Sequence, residues 1–564
     1  MSDLDPNQLL ARARAFCDDD PDPETRAELE ALIASGDARA LADCFAGRLE
    51  FGTAGIRAVI GAGESRMNAR VVAETTAGLC AVLARDIPNA KARGLCVGFD
   101  GRRKSRELAS VTAEVASGAG FTVHLFDDVV PTPLLAFSIT QRGAAAGVMI
   151  TASHNPPEYN GYKAYWENGA QIVPPQDVEI AQAIAAVSGV RKLPRNTANV
   201  AGQPGVERRY VEAVRELIGE EVTPSPLRIV YTALHGVGER LATELLRGAG
   251  FPHVHSVPEQ AEPDGTFPTV KFPNPEEPGA MDLALALANE TSANLVLAND
   301  PDADRLAVAV RSLRGEIVQL TGNETGLLLA DHLLARAPRD GKNLVLASLV
   351  STPLIARLAA SYGARCEFTL TGFKWIANRA IELTQRDGLR FLLGFEEALG
   401  FSVGNLVRDK DGVSAALLAA RIAAHHAREG RTLLDALEAI YRKHGLYESR
   451  PISITLPGAT GMATMLAAMN ALRAAPPREL AGCAVNELQD LERSVDLPPS
   501  NVLVFQLAGG HRICVRPSGT EPKLKIYVDA CTEVAVTETL SAARTRAREL
   551  ADSLGQALRT HAKL

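Results

Sequence analysis

The sequence predicts an α/β protein: three related mixed-sheet α/β domains in series, then an α+β domain at the carboxyl end. Three observations predict it. The chain has 564 residues, enough for three to five domains of roughly 150 residues each. An order of apolar runs and helical patterns, β-α-β-α-β, occurs three times. After about residue 500 that order gives way to alternating strands, a glycine turn and a closing amphipathic helix.

Taken in order, residues 1–45 read as two helices on a polar background, an appendage to the first domain. From about 95 to 156, LCVGF, RELASVTAEVASGAG, FTVHLF, PLLAFSITQRG and AAGVMI alternate strand and helix. From about 227 to 305 the order recurs as LRIVY, GERLATELLRGAG, FPHVHSV, DLALALANE and NLVLA. From about 343 it recurs as NLVLAS, TPLIARLAASYG, RCEFTL, KWIANRAIEL and RFLLGF. Glycine closes the first helix of each copy, in GAGF, GAGF and YGAR. Then NVLVFQLAGGHRICVRP alternates and turns at Gly509 and Gly510 like a hairpin, KLKIYVDA continues as a strand, and about 535–561 form the final helix. Linkers are expected near 200–208, 315–322 and 446–458, which divides the chain into 1–205, 206–318, 319–450 and 451–564.

Composition excludes several classes. With 46% hydrophobic and 22% charged residues the chain is an ordinary folded protein. Its 59 Lys and Arg against 67 Asp and Glu leave a net charge of −8, so no global positive field draws in nucleic acid. The eight cysteines form no C-x-x-C pair and no zinc spacing, as expected of reduced, mostly buried thiols in the cytoplasm. The start, MSDLDPNQLL, lacks the positive region and apolar run of a signal peptide. Alanine-rich stretches such as 414–427 meet charge well short of the 18 or so apolar residues of a membrane span, so no membrane partner is expected.

The loop after the third strand differs in each copy: TASHNP at 151–156, DPDADR at 300–305 and GFEEALG at 394–400. Functional loops of open α/β sheets lie at the carboxyl ends of strands, so three unlike loops in equivalent places suggest one shared site. DPDADR places Asp300, Asp302 and Asp304 at i, i+2 and i+4, on one side of an extended segment. Neighbouring charges there repel by roughly 2–3 kcal/mol at an effective dielectric of 20, so the loop is either solvated as an acidic turn or held by a cation. An EF-hand would need Gly and Glu where Arg305 and Arg311 stand, and Mg²⁺ suits three oxygen ligands with open positions better.

Ser153 sits between a buried strand and a proline-terminated turn, where a hydroxyl is presented rigidly. No G-x-S-x-G elbow accompanies it. His154 is its neighbour on a chain read as extended, which points the two side chains apart and disfavours His154 as the base for Ser153. Alone, TASHNP reads equally as a capped turn; beside a Mg²⁺ site, a phosphoryl-carrying serine becomes consistent. RPSGTEPKLKIY at 516–527 offers Arg516, a Ser518-Gly519-Thr520 turn able to nest an anion, and Lys523 and Lys525 on one side of a strand, or else a β-turn with a solvated charged strand. Glu396 and Glu397 suit bidentate binding of sugar hydroxyls or a solvated loop, and DKDGV at 409–413 adds charge. Lys374 in TGFKW and Arg57 in FGTAGIR are phosphate or acid/base candidates, or helix-end cations.

These motifs, in this order, resemble the α-D-phosphohexomutase superfamily, the phosphoglucomutase and phosphomannomutase enzymes, over nearly the whole chain from FGTAGIR at 51 to KLKIY at 527. The resemblance implies four domains around a central cleft, named in order for the phosphoserine, the metal, the sugar and the phosphate. It implies that Ser153 is the phosphoserine and a metal ligand, that Asp300, Asp302 and Asp304 complete a site for one Mg²⁺ per chain, and that Glu396 and Glu397 read the sugar. Arg516, Ser518, Gly519 and Thr520 would clamp phosphate, with Thr371, Gly372 and Lys525 also on the substrate side. Arg57, His154, Lys163 in NGYKAY, Arg305 and Lys374 would be the catalytic groups around the transferred phosphoryl.

The implied reaction interconverts a sugar 1-phosphate and a sugar 6-phosphate through phospho-Ser153 and a hexose 1,6-bisphosphate that also serves as activator. Ala398 stands where common glucose mutases carry serine in a GEES-like loop, and Phe395 precedes the acids. FGTAGIR, TALHGVG and GFEEALG resemble instead a branch of longer phosphoglucomutases, some of which also act on pentose phosphates. Glucose is therefore the leading sugar, mannose and pentose come behind it, and glucosamine is less favoured. The expected partner is a small phosphosugar, with monomer and homodimer both open. A phosphatase or kinase-like transferase is disfavoured by the paired sugar loop and terminal clamp. A silent sensor is disfavoured by the intact Ser153 and aspartates.

Overall fold

The computed structural model describes residues 5–49, 55–219, 224–456, 460–495, 497–518 and 522–564. The chain divides into two compact units. One comprises Met1–Leu320, Gly372–Ile381 and Ala398–Ala424, and the other Thr321–Thr371, Glu382–Glu397 and His425–Leu564.

The first unit begins with three helices, Pro6–Asp19, Pro23–Ser35 and Ala38–Cys44, where two were expected. Gly36, at φ +67°, ends the second, and the Asp37 carboxylate, accepting from Ala40 N at 2.9 Å, starts a third. Leu9, Phe16, Leu29 and Phe45 give these helices a small core of their own.

Six strands then form a mixed sheet in the order Ile56–Val59, Tyr159–Trp166, Ala146–Ile150, Leu95–Phe99, Val123–Leu125, Val200–Ala201. Leu95–Phe99 runs parallel to both its neighbours, and Tyr159–Trp166 returns antiparallel on Ala146–Ile150. Leu95–Phe99 and Ala146–Ile150 are buried along their whole length, which is why they read as unbroken apolar runs. The helices Ser105–Gly118 and Thr132–Arg142 connect them as the repeat predicts.

The second sheet has the order Ile317–Gln319, Ala307–Arg311, Leu295–Ala298, Ile229–Thr232, Val254–Ser256. Its helices are Glu239–Gly248 and Asp282–Glu290.

In the second unit Asn343–Ser348 pairs in parallel with Arg365–Thr369 and Arg390–Glu396. The helix Gly322–Arg336 packs so closely on this sheet that a Cβ at Gly326 would lie 2.6 Å from the Phe395 ring. The glycines expected to end the first helix of each repeat are Gly120, Gly250 and Gly363, all at positive φ.

The last sheet is antiparallel, ordered Leu446–Thr455, Lys523–Thr532, Arg512–Pro517, Leu503–Leu507, Cys483–Asp490, Glu479–Leu480. Gly461–Ala474 and Leu540–Ala562 cover it, burying Met465, Met469, Phe505, Ile526 and Leu554. The linker expected over 446–458 is therefore a strand through Thr455, and it runs across the boundary placed at 450 and 451. Pro451 disguised it: the strand lies at the sheet edge, where a residue without an N–H is tolerated. The linkers expected near 200–208 and 315–322 likewise contain the short edge strands Val200–Ala201 and Ile317–Gln319. The final helix starts at Leu540, five residues later than expected, where Thr539 Oγ1 accepts from Ala542 N at 3.2 Å. Among the described residues no helix is long and apolar enough to cross a membrane. All eight cysteines are free thiols, six of them buried.

Candidate active site

The Ala146–Ile150 strand delivers Ser153 into a tight turn. Thr151 Oγ1 accepts from Ser153 N at 2.9 Å, Ala152 O accepts from Asn155 N at 3.1 Å, and Ser153 itself is left-handed at φ +50°. The extended chain assumed for this segment is thus wrong, and with it the separation of Ser153 from His154. The turn brings His154 Nδ1 to 3.2 Å from Ser153 Oγ. Burial, followed by Arg305 and Arg57, pushes His154 well below the ordinary imidazole pKa and keeps the ring neutral. Arg57 fixes the far side of the turn, donating to Asn155 Oδ1 at 2.8 Å.

The second sheet presents the aspartates just after Leu295–Ala298, again through a turn, with Ala303 at φ +56°. They are buried, at 0–1% exposure, which removes the reading of DPDADR as an acidic surface turn. Asp300 Oδ2 accepts the Ser153 hydroxyl at 2.7 Å and its Oδ1 accepts from Arg305 N at 3.0 Å. Asp302 Oδ2 accepts from Lys163 Nζ and Thr132 Oγ1, both at 2.7 Å. Asp304 Oδ2 accepts from Lys163 Nζ at 2.9 Å and lies 3.2 Å from Lys410 Nζ.

Asp302 Oδ1 and Asp304 Oδ1 remain, both buried and without a hydrogen-bond partner among the described residues. One such orphan acceptor costs about 1–3 kcal/mol. One oxygen from each aspartate comes within 4.8 Å of the others. Burial and the charges of Asp304 and Asp302 push Asp300 up to about 8. For Asp302 burial acts upward too, but Lys163, Thr132 and Lys410 outweigh it and hold the carboxyl low. Three converging carboxylates, two with an unused oxygen, fit a hard divalent cation that takes oxygen ligands.

Lys163 is buried on the Tyr159–Trp166 strand; against burial, Asp302 and Asp304 hold its pKa above the ordinary lysine value. Arg305 pairs with Glu276 at 3.5 Å. The structure therefore gathers Ser153, His154, Arg57, Lys163, Arg305 and the three aspartates around one point. Lys374 lies apart from these contacts, buried at the start of the Phe373–Asp387 helix with its Nζ 5.3 Å from the centre of the Trp375 ring, and burial lowers its pKa. Gly372 precedes that helix at φ +110°.

Three contributors escaped the sequence reading. Arg102, in FDGRRK after Leu95–Phe99, donates to the carbonyls of Ser153, Asn155, Pro156 and Tyr159. Lys410 was visible only as a charge in DKDGV. Thr132 carried no signal, being one hydroxyl in a helix start.

In the second unit Arg516 donates to Thr371 Oγ1, and Lys525 stands directly across the strand pair from Arg516. Ser518 N donates to Lys523 O at 2.8 Å. Gly519 and Thr520 lie outside the described residues. Glu396 ends the Arg390–Glu396 strand. Glu397 Oε2 accepts from Ser348 Oγ at 2.9 Å and its backbone N donates to Ser351 Oγ at 3.1 Å.

Comparison with known proteins identifies the family. Residues 48–190, 208–315 and 321–444 match the phosphoglucomutase/phosphomannomutase alpha/beta/alpha domains I, II and III, and residues 461–545 match the C-terminal domain. A "Probable phosphomannomutase" of Haemophilus influenzae is 42% identical over 446 residues, covering 78% of this chain and 88% of that protein. A phosphopentomutase of Mus musculus is 37% identical over 555 residues, covering 91% of this chain and 88% of that protein. The crystal structure of a phosphoglucomutase/phosphomannomutase family protein from Burkholderia thailandensis shares the fold, with a TM-score of 0.68 at 21% identity over 90% of this chain and 97% of that one. With four domain matches in series, the chain belongs to the phosphoglucomutase/phosphomannomutase family, whose members are mutases.

Proposed function

We propose that the protein interconverts a sugar 1-phosphate and a sugar 6-phosphate, glucose first, through a phosphorylated Ser153 and a sugar 1,6-bisphosphate. The observation that carries this reading is the 2.7 Å bond from Ser153 Oγ to Asp300 Oδ2 beside two unused aspartate oxygens.

In the first transfer the bond from phosphorus to Ser153 Oγ breaks and one to the free sugar hydroxyl forms. The hydroxyl's proton passes to a base of the proposed set, His154 or Lys374. The bisphosphate then reorients, and its other phosphoryl group returns to Ser153. Arg57, Lys163 and Arg305 hold and neutralise the migrating group, which is most of what phosphoryl transfer asks of a protein. Asp300, Asp302, Asp304 and Ser153 would hold one Mg²⁺, which when bound supplies positive charge to the phosphoryl oxygens. Glu396 and Glu397 read the sugar hydroxyls. Arg516, Ser518, Gly519, Thr520 and Lys525, with Thr371 and Gly372, hold the phosphate that is not transferred.

In this reading residues 1–205 present the serine, 206–318 the metal loop, the segment from 319 the sugar loop and the last segment, from the strand at 446, the phosphate clamp. The free thiols support a reducing, cytoplasmic setting.

A pentose phosphate is the second reading, favoured by the phosphopentomutase relative that covers 91% of the chain. A coupled assay on glucose, mannose, glucosamine and pentose 1-phosphates, with a trace of bisphosphate, tests both. Interconversion led by glucose supports the first reading, and a lead for ribose 1-phosphate replaces it with the second. Release of inorganic phosphate faster than interconversion overturns the mutase reading.

A further inference from the structure

We propose that Arg102 is a positioning residue for Ser153, and that the segment 263–267 beside the second sheet seats it through Phe267. The inference rests on the reading of Ser153 as the phosphoryl carrier. The Arg102 guanidinium is buried, and its four hydrogen bonds among the described residues go to one short stretch, 153–159, to the carbonyls of Ser153, Asn155, Pro156 (2.9 Å) and Tyr159 (3.3 Å). That loop holds Ser153 in the left-handed region, which a residue with a Cβ adopts at a cost and keeps only when its surroundings impose it. A planar fork can hold several carbonyls at once, whereas a lysine ammonium offers a single charged point. Arg102 therefore fixes the backbone that aims Ser153 Oγ at Asp300.

Arg102 is held in turn from two sides. Asp100 lies 3.5 Å from its Nε, and the ring centre of Phe267, itself 2% exposed, lies 4.9 Å from its Cζ. The approach of 263–267 leaves no slack. A Cβ at Gly265 would stand 2.8 Å from Arg102 Cα, and one at Gly101 would stand 2.8 Å from Pro263 Cβ. The segment lies between the Val254–Ser256 strand and the Asp282–Glu290 helix, in the stretch of chain that also carries the aspartates. One part of the chain thus presents the carboxylates and presses on the clamp that aims the serine.

The test uses the full-length chain with Arg102→Lys, Phe267→Leu and the double variant. Arg102→Lys is expected to lower kcat about 10- to 100-fold with KM for the sugar phosphate unchanged, and Phe267→Leu to act in the same direction more weakly. The double variant should lose less than the product of the single losses, because the two side chains act through one contact. Amide hydrogen exchange should rise across 151–160 and stay unchanged across 295–306. An Arg102→Lys enzyme with unchanged kcat, a loss carried by KM, or exchange rising evenly along the chain would each overturn the proposal. If Arg102→Lys does not fold, Phe267→Leu decides by the same readouts. If the unmodified chain turns over no phosphosugar, the reading of Ser153 falls, while the exchange pattern still decides whether Arg102 holds the loop.

Discussion

Ser153 Oγ donates to Asp300 Oδ2 at 2.7 Å although 147 residues separate the two in the chain. The bond joins the carboxyl end of one sheet to that of the next, and it ties the hydroxyl proposed to carry phosphate to a carboxylate that would hold the cation. Replacing Ser153 with Ala should lower mutase turnover by several orders of magnitude, as the loss of a covalent nucleophile does. Mass spectrometry of the intact chain after incubation with bisphosphate should then show no added phosphoryl group. A variant that still turns over at the original rate would remove Ser153 from the mechanism.

Lys163 makes a second prediction because it serves two carboxylates at once, Asp302 at 2.7 Å and Asp304 at 2.9 Å. Lys163→Met would leave both buried with less compensation. Breaking a buried pair from one side costs about 3–5 kcal/mol, so urea unfolding should shift strongly. Added Mg²⁺ should recover part of that stability, since a cation among the aspartates replaces the missing charge. Equal stability of the variant and the unmodified chain without Mg²⁺ would contradict this account of the site.

Metal removal gives a third. Excess chelator should abolish turnover, and added Mg²⁺ should restore it. A ligand that binds only the folded state at 100 times its Kd stabilises by about 2.7 kcal/mol, so thermal unfolding should also move upward with Mg²⁺. Asp302→Asn should blunt that shift. Full activity in excess chelator would eliminate the metal from the proposal.

Which features were readable from the sequence depends on how local their causes are. Leu95–Phe99, Ala146–Ile150 and Leu295–Ala298 are buried along their length, so their strands announced themselves as apolar runs. The aspartates declared themselves through spacing within five residues. Leu446–Thr455 did not, because an edge strand with one open face tolerates Pro451 and charged residues. His154 approaches Ser153 against the expectation for an extended chain because its position depends on the left-handed Ser153, and nothing in TASHNP requires φ +50°. Arg102 and Thr132 meet their partners across 51 and 170 residues of sequence, so only the folded chain assigns them.

The last prediction concerns the sugar loop. Phe395, immediately before Glu396 and Glu397, is fully buried, and its ring lies where a Cβ at Gly326 would come within 2.6 Å. Gly326 sits inside the Gly322–Arg336 helix, where alanine is the better helix former, so intrinsic propensity alone predicts that Gly326→Ala stabilises. The packing predicts the opposite. A rigid aromatic ring cannot yield that distance, and overpacking of this kind typically costs about 1–3 kcal/mol. Relief by displacement of Phe395 would shift the two glutamates next to it in the chain, raising KM for the sugar phosphate more than it lowers kcat. Pairing Gly326→Ala with Phe395→Leu should recover both stability and KM, because the smaller side chain vacates the contested space. Denaturant midpoints and steady-state kinetics on the two single variants and the pair check this, and a stabilised Gly326→Ala would show that helix propensity outweighs the contact.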